Sequence, residues 1–261
     1  MKNLSEIALE LGHGKENSFH FFKHYEDILG HLRNKEITFF EIGIGGIKDP
    51  NAGGHSLRIW SEYLSKAKLY ALDIHPKNVK INERVKIFQG SQIDNNILEE
   101  IHKQAGDFDI IIDDGSHTNS HQIETFKILF PKLKEGGFYF IEDVQTSYYL
   151  GDGGDGFYLH NKRTAINFFK SMIDRMHQFE HENPYSKPDY YSENINEINF
   201  FPNLILVRKN KNLVKSHILV NNKKPVKGKN LISIRKLLKN TKYILHYMRS
   251  KLYYLIDLLK I

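Results

Sequence analysis

The chain contains no cysteine. That excludes a disulfide framework and every thiolate metal site, so any metal must be held by oxygen or imidazole. It also lacks a run of about 18 apolar residues, the length that a membrane-spanning helix needs. Its first residues, "MKNLSEIALELG", are too polar for a secretory signal. The expectation is a cytoplasmic protein. A uniform excess of one charge is lacking too: from Lys223 to the end there are eleven Lys/Arg and one acid, whereas the residues before sum to −4 within a total of +6. The basicity belongs to a terminal segment, so nucleic acid is not expected as a partner. No internal repeat is evident.

What is present is enough apolar material, 40% of 261 residues, for one sizeable core and an appendage. "ITFFEIGIGG" (37 to 46) is a short run of β formers that breaks into glycines, the pattern of a buried strand feeding a tight turn. Similar runs follow at "KLYALDIH" (68 to 75), "VKIFQG" (85 to 90), "FDIIIDDG" (108 to 115) and "GFYFIEDV" (137 to 144). Between them "SLRIWSEYLSK", "NNILEEIHKQ" and "SHQIETFKILFPKL" carry apolar residues at helical spacing. Strands alternating with helices predict a Rossmann-like, doubly wound α/β fold with a mostly parallel sheet, whose ligands sit beyond the carboxyl ends of the strands. "INEINFFPNLILVRKN" (195 to 210) predicts an antiparallel edge hairpin turning at Pro202 and Asn203.

Four of the parallel strands end in acids: Glu41, Asp73, Asp113 with Asp114, and Glu142 with Asp143. Parallel strands bring such residues to one rim. In "EIGIGG" the dinucleotide spacing G-x-G-x-x-G would need glycine or alanine at position 48, which is Lys48, so a nicotinamide oxidoreductase is disfavoured. Glu41, Gly43 and Gly45, with Asp73 placed to accept from ribose hydroxyls, suit S-adenosylmethionine instead; a plain tight turn is the competing reading of the glycines. Asp114, Glu142 and Asp143 form a hard, oxygen-only half-cage suited to Mg²⁺. His117 falls near a helix N-terminus, where the dipole favours a neutral imidazole able to act as a base. Asp114, His117 and His121 also read as a transition-metal set of a metal-dependent oxygenase, which leaves Glu142 and Asp143 unemployed.

"FFEIGIGG", "DPNAGGHSLRIW", "LYALDIH", "FQGSQID", "FDIIIDDGSHTNSHQIETFKILFPKLKEGGFYFIEDVQTSY" and "NFFPNLILV" together resemble the macrocin and mycinamicin type of sugar O-methyltransferase, across residues 11 to 210. The resemblance implies a class I enzyme dependent on S-adenosylmethionine and Mg²⁺, with Asp114, Glu142 and Asp143 on the metal and His117 as general base. It further implies cofactor contacts from Ser56, Ser91 and Asp113. Ser91 stands where the family often has an acid. The antibiotic-tailoring members' N-terminal accessory domain has no counterpart in the residues matched, so their assembly is not carried over.

Beyond the metal pair, Gln145, Tyr148 and Tyr149 suit a sugar-binding platform and "GDGGDG" a lid, an ordinary exposed loop being the other reading. From Leu231 to Leu259 apolar residues alternate three and four apart, interrupted at Thr241. Residues 213 to 261 are therefore expected to form a basic amphipathic helical tail beyond a methyltransferase domain at 1 to 212. Three roles compete for it: a homo-oligomer through a coiled coil, contact with an anionic inner membrane surface, or packing on the body. The expected acceptor is a sugar or glycan, with a surface-polysaccharide (capsule or lipopolysaccharide) or nucleotide-sugar precursor preferred over a natural-product glycoside. A non-catalytic interaction module is the remaining alternative.

Overall fold

The computed structural model describes residues 2–12, 21–181 and 187–212, together with Thr241, Leu245, Met248 and Arg249. In chain order it contains α1 (Leu4–Glu10), α2 (Phe21–Leu29), β1 (Thr38–Ile42), α3 (His55–Tyr63), β2 (Lys68–Asp73), β3 (Val85–Gln89), α4 (Asn95–Ala105), β4 (Phe108–Asp113), α5 (Asn119–Leu129), β5 (Leu133–Glu142), α6 (Ala165–Met176), α7 (Tyr190–Asn194), β6 (Ile195–Phe201) and β7 (Leu204–Lys209). One sheet orders the strands β3-β2-β1-β4-β5-β7-β6. The first five are parallel, and β7 returns antiparallel to β5 with β6 outside it. This is the predicted Rossmann-like arrangement, and the outer hairpin turns at Pro202 and Asn203 as its sequence implied.

The central strands are buried along their whole length in β1 and nearly so in β4, as expected for parallel strands covered on both faces. Side chains alternate across the sheet. Phe39, Ile110, Ile112, Phe138 and Phe140 pack on one face against α1, α2 and α3, with Trp60 and Tyr25 filling the space. Phe40, Ile42, Ile111, Tyr139 and Ile141 pack on the other, beneath α4, α5 and α6. Helix starts are fixed locally: Asp94 accepts from the Asn96 N–H at the head of α4, and the Thr164 hydroxyl accepts from Asn167 at the head of α6. The helices α1, α2, α6 and α7 were not anticipated from the sequence.

One compact unit comprises residues 1–177 and 189–213. The second comprises 178–188 and 214–261, and in it the described residues include a short turn of 3₁₀ helix at Gln178–Glu180. Most of the predicted tail lies outside the described residues. Of its seam, Thr241, Leu245 and Met248 are described as helical and exposed. Among the described residues no helix is long and apolar enough to cross a membrane.

Candidate active site

The site grows from the exits of β1, β2, β4 and β5. Gly43 leaves β1 with φ +81°, and a Cβ there would lie 2.0 Å from the Asp114 carbonyl oxygen. The exits of β1 and β4 are pressed together, and the Asp114 N–H donates to Ile42 O at 2.9 Å. Gly45, φ +72°, has nothing within 4 Å of where its Cβ would be. Its empty side belongs to a cleft of about 430 Å³ bordered by Gly43, Gly45, Asp73, Ser91, Asp114 and His117 among others. Asp73 braces the glycine loop, accepting from the Ile44 N–H at 3.2 Å and the His75 N–H at 2.9 Å. The Lys77 ammonium donates to the carbonyls of Ile47 and Asp49 in the same loop at 2.8 and 3.3 Å.

At one side of the cleft the donor atoms of Asp114, His117 and Asp143 lie within 4.8 Å of one another. His117 Nε2 is 3.4 Å from Asp143 Oδ2 and 3.9 Å from Asp114 Oδ1. Two carboxylates and an imidazole so placed fit a divalent cation, a proton-transfer site, or both. Glu142 lies deeper: its Oε1 accepts from the Tyr25 hydroxyl at 2.6 Å, and its backbone carbonyl accepts from Gln122 Nε2 at 2.9 Å. Glu41, Glu142, Ser56 and Tyr25 border a second cavity of about 10 Å³, roughly the minimum for one water. Asp114 borders both cavities. Gln145 Nε2 donates to Asp143 Oδ1 at 3.2 Å, and Tyr148 and Tyr149 are 45% and 54% exposed. His121 borders the cleft, yet its Nδ1 pairs with Ser116 Oγ at 2.8 Å and it stands outside the Asp114 group. The oxygenase set is not assembled.

A methyltransferase-domain family matches residues 51–144. Mycinamicin VI 2''-O-methyltransferase of Micromonospora griseorubida is 37% identical over 212 residues, covering 80% of this chain and 53% of that protein. The 8-demethyl-8-(2-methoxy-alpha-L-rhamnosyl)-tetracenomycin-C 3'-O-methyltransferase of Streptomyces olivaceus is 34% identical over 212 residues, covering 80% and 54%. The MycE methyltransferase of mycinamycin biosynthesis, solved in complex with Mg and SAH, superposes with a TM-score of 0.79 at 33% identity, over 92% of this chain and 60% of that one. The chain is a homologue of these sugar O-methyltransferases. It spans about half the length of the curated relatives that it matches.

In this methyltransferase domain the fourteen expected site residues separate into groups. Gly43, Gly45, Asp73, Ser91, Asp114, His117 and Asp143 border the cleft; Glu41, Ser56 and Glu142 border the deeper cavity; Gln145 touches Asp143; and the two tyrosines are exposed nearby. Asp113, expected at the cofactor, borders neither. It points to the opposite face of the sheet, fully buried, where burial pushes its carboxyl up to about 7 against the stabilising hydrogen bonds of the Gly115 N–H and Gln92. Gln92 was missed by sequence reasoning. Its Nε2 donates to Asp113 Oδ1 and Thr125 Oγ1, both at 3.0 Å, and its Oε1 accepts from the Ser116 N–H at 2.7 Å, which fixes the turn leading to His117. Tyr25 and Asn119 were missed as well. Only contacts across the fold reveal them.

Proposed function

We propose that this chain transfers the methyl group of S-adenosylmethionine to a sugar hydroxyl of a glycosylated small molecule, with Mg²⁺ as the metal. The observation that carries the reading is the Asp114, His117 and Asp143 group on the wall of a glycine-floored cleft. The homologues' names support the acceptor: one names a rhamnosyl tetracenomycin, the other mycinamicin VI. Nothing comparable supports a surface polysaccharide, so the natural-product glycoside takes precedence over it.

The donor set fits the implied metal. Asp114 and Asp143 would hold it, with Glu142 as a third carboxylate from the deeper cavity and His117 left as base. When bound, Mg²⁺ acidifies and orients an acceptor hydroxyl, and the sulfonium cofactor supplies an electrophilic methyl group. His117 removes the hydroxyl proton at Nε2, an effect typically worth ~10²–10⁴ in rate. Asp143 Oδ2, 3.4 Å away, stabilises the imidazolium that results. Asp73 and the Gly43–Gly45 turn seat the cofactor, and holding the two reactants in near-attack geometry contributes about 7–11 kcal/mol, more than the base does. Gln145, Tyr148 and Tyr149 meet the sugar.

Calorimetric titration of S-adenosylmethionine and then Mg²⁺ into wild type, Asp114→Ala and His117→Ala tests this. Cofactor binding is expected in all three, Mg²⁺ binding is lost in Asp114→Ala alone, and His117→Ala binds both ligands without turning over a glycoside acceptor. Absence of cofactor binding in wild type sinks the methyltransferase reading. Loss of Mg²⁺ in His117→Ala makes His117 a ligand rather than the base.

A further inference from the structure

Among the described residues four non-glycine positions have left-handed backbone, and two of them are His117 (φ +55°) and Asp143 (φ +53°), whose side chains meet at 3.4 Å. Such backbone is strained and persists only where the surroundings fix it. The two residues sit on separate loops, one leaving β4 and the other leaving the neighbouring β5. The Thr146 side chain reaches the backbone of both. The buried Thr146 hydroxyl donates to the His117 carbonyl at 2.7 Å and lies 3.1 Å from the Asp143 carbonyl. Its one hydrogen is shared, with the shorter contact going to His117.

Thr146 is itself held from behind. Asn119, at the first position of α5, donates from Nδ2 to the Thr146 carbonyl at 3.0 Å, and its Oδ1 accepts from Ser147 Oγ at 2.9 Å and from the Ala165 N–H at 2.7 Å. Asn119 and Ser147 are buried, and the same Nδ2 reaches the Asp152 carbonyl at 3.0 Å. The Thr146 backbone is thus anchored through its carbonyl to Asn119 at the start of α5. We infer that Thr146 is a positioning residue: its hydroxyl sets the His117 loop against the Asp143 loop and so fixes the imidazole–carboxylate geometry on which catalysis depends. It rests on the proposed roles of His117 and Asp143. It adds a residue that touches no reacting atom.

Thr146→Val keeps the shape and removes the hydroxyl; Thr146→Ser keeps the hydroxyl and removes the methyl. Mn²⁺ affinity, read by electron paramagnetic resonance on the full chain, and S-adenosylmethionine affinity, read by calorimetry, are compared with kcat and KM. Residues that orient ligands from behind typically change metal affinity or activity 10–100-fold, so Thr146→Val is expected to weaken Mn²⁺ binding and lower kcat by about tenfold each, with cofactor affinity unchanged. Thr146→Ser is expected to recover most of both. Wild-type Mn²⁺ affinity and kcat in Thr146→Val overturn the inference, as does a serine variant as impaired as the valine one, or a parallel loss of cofactor affinity that marks general damage. Should the valine variant not fold, serine still decides: impairment despite the hydroxyl overturns the assignment. Wild type that binds no Mn²⁺ overturns the metal-site reading first, and the inference with it.

Discussion

Gly43 and Gly45 stand two residues apart in the same turn, both left-handed, and the structure separates what each glycine is for. Alanine at either position pays the left-handed backbone cost, roughly 1–2 kcal/mol. At Gly45 that is the whole expected cost, because the new methyl group enters open space. At Gly43 the methyl group would stand 2.0 Å from Asp114 O, 2.7 Å from Asp114 C and 2.9 Å from Gly115 Cα, all backbone atoms. Relief requires β1 and β4 to part, against the Asp114 N–H to Ile42 O bond between them. Overpacking of this kind adds about 1–3 kcal/mol or more, for a total near 4 kcal/mol. For a domain of this size about 1 kcal/mol lowers Tm by 2–4 °C, so Gly43→Ala is expected to lose roughly 10 °C and Gly45→Ala about 5 °C or less. Thermal denaturation without ligand measures both, and S-adenosylmethionine titration follows on whichever variants fold. Gly45→Ala should fold and bind the cofactor poorly, since its methyl group occupies cleft space. Equal Tm losses would refute the contact argument, and wild-type cofactor affinity in Gly45→Ala would refute the assignment of the cleft.

Two further perturbations probe the groups behind the site. Tyr25 is fully buried, its hydroxyl is pushed well above the ordinary phenol range chiefly by burial, and it donates to Glu142 at 2.6 Å. Tyr25→Phe should therefore cost about 1–2 kcal/mol, the range for losing a buried hydrogen bond, and the cost should largely vanish in a Glu142→Leu background, which removes the acceptor; additive denaturation energies would show that the bond contributes nothing. For Asp113 the folded carboxyl titrates near 7 against an ordinary 3.8, so between these values the folded state binds more protons than the unfolded chain. Stability then falls as pH rises from about 4 to 7, by about 4 kcal/mol in all at ~1.4 kcal/mol per unit, and stays low above that window. Asp113→Asn should gain on wild type across the same window in urea denaturation, and parallel pH curves would refute the buried-carboxyl reading.

The parallel strands and the edge hairpin were legible because each is short, apolar and closed by a turn residue: Gly43 after β1, Gly90 after β3, Pro202 and Asn203 between β6 and β7. Helices α3, α4 and α5 were legible for the same reason, their apolar spacing being bounded by strands. The helices α1 and α2 were not. They cover the sheet face that carries Glu41 and Glu142, but they precede the first strand and no alternation announces them. Tyr25 and Glu142 lie 117 residues apart, and no local pattern connects a tyrosine in "FFKHYEDIL" with the end of β5.

Asp113 is a different kind of miss, because the sequence contained the means to avoid it. Neighbours on a strand point to opposite faces. In "FDIIIDDG" Ile111 and Asp113 share one face, while Ile112 leads to Asp114 on the other; in β1 Phe39 and Glu41 share that other face, as do Phe140 and Glu142 in β5. Parity therefore gathers Glu41, Asp114 and Glu142 around one small cavity and sends Asp113 beneath α5, where Gln92 and Thr125 wait. Past the end of β5 the rule lapses. Asp143 is redirected by its left-handed backbone toward His117, and it is that turn, held by Thr146, that brings a carboxylate from β5 into the cleft with Asp114. The strand-end acids thus line two cavities, one of about 10 Å³ and one of about 430 Å³, and Asp114 borders both. Substituting it is expected to disturb the deep cavity and the metal group together, whereas Asp143 should affect the metal group alone.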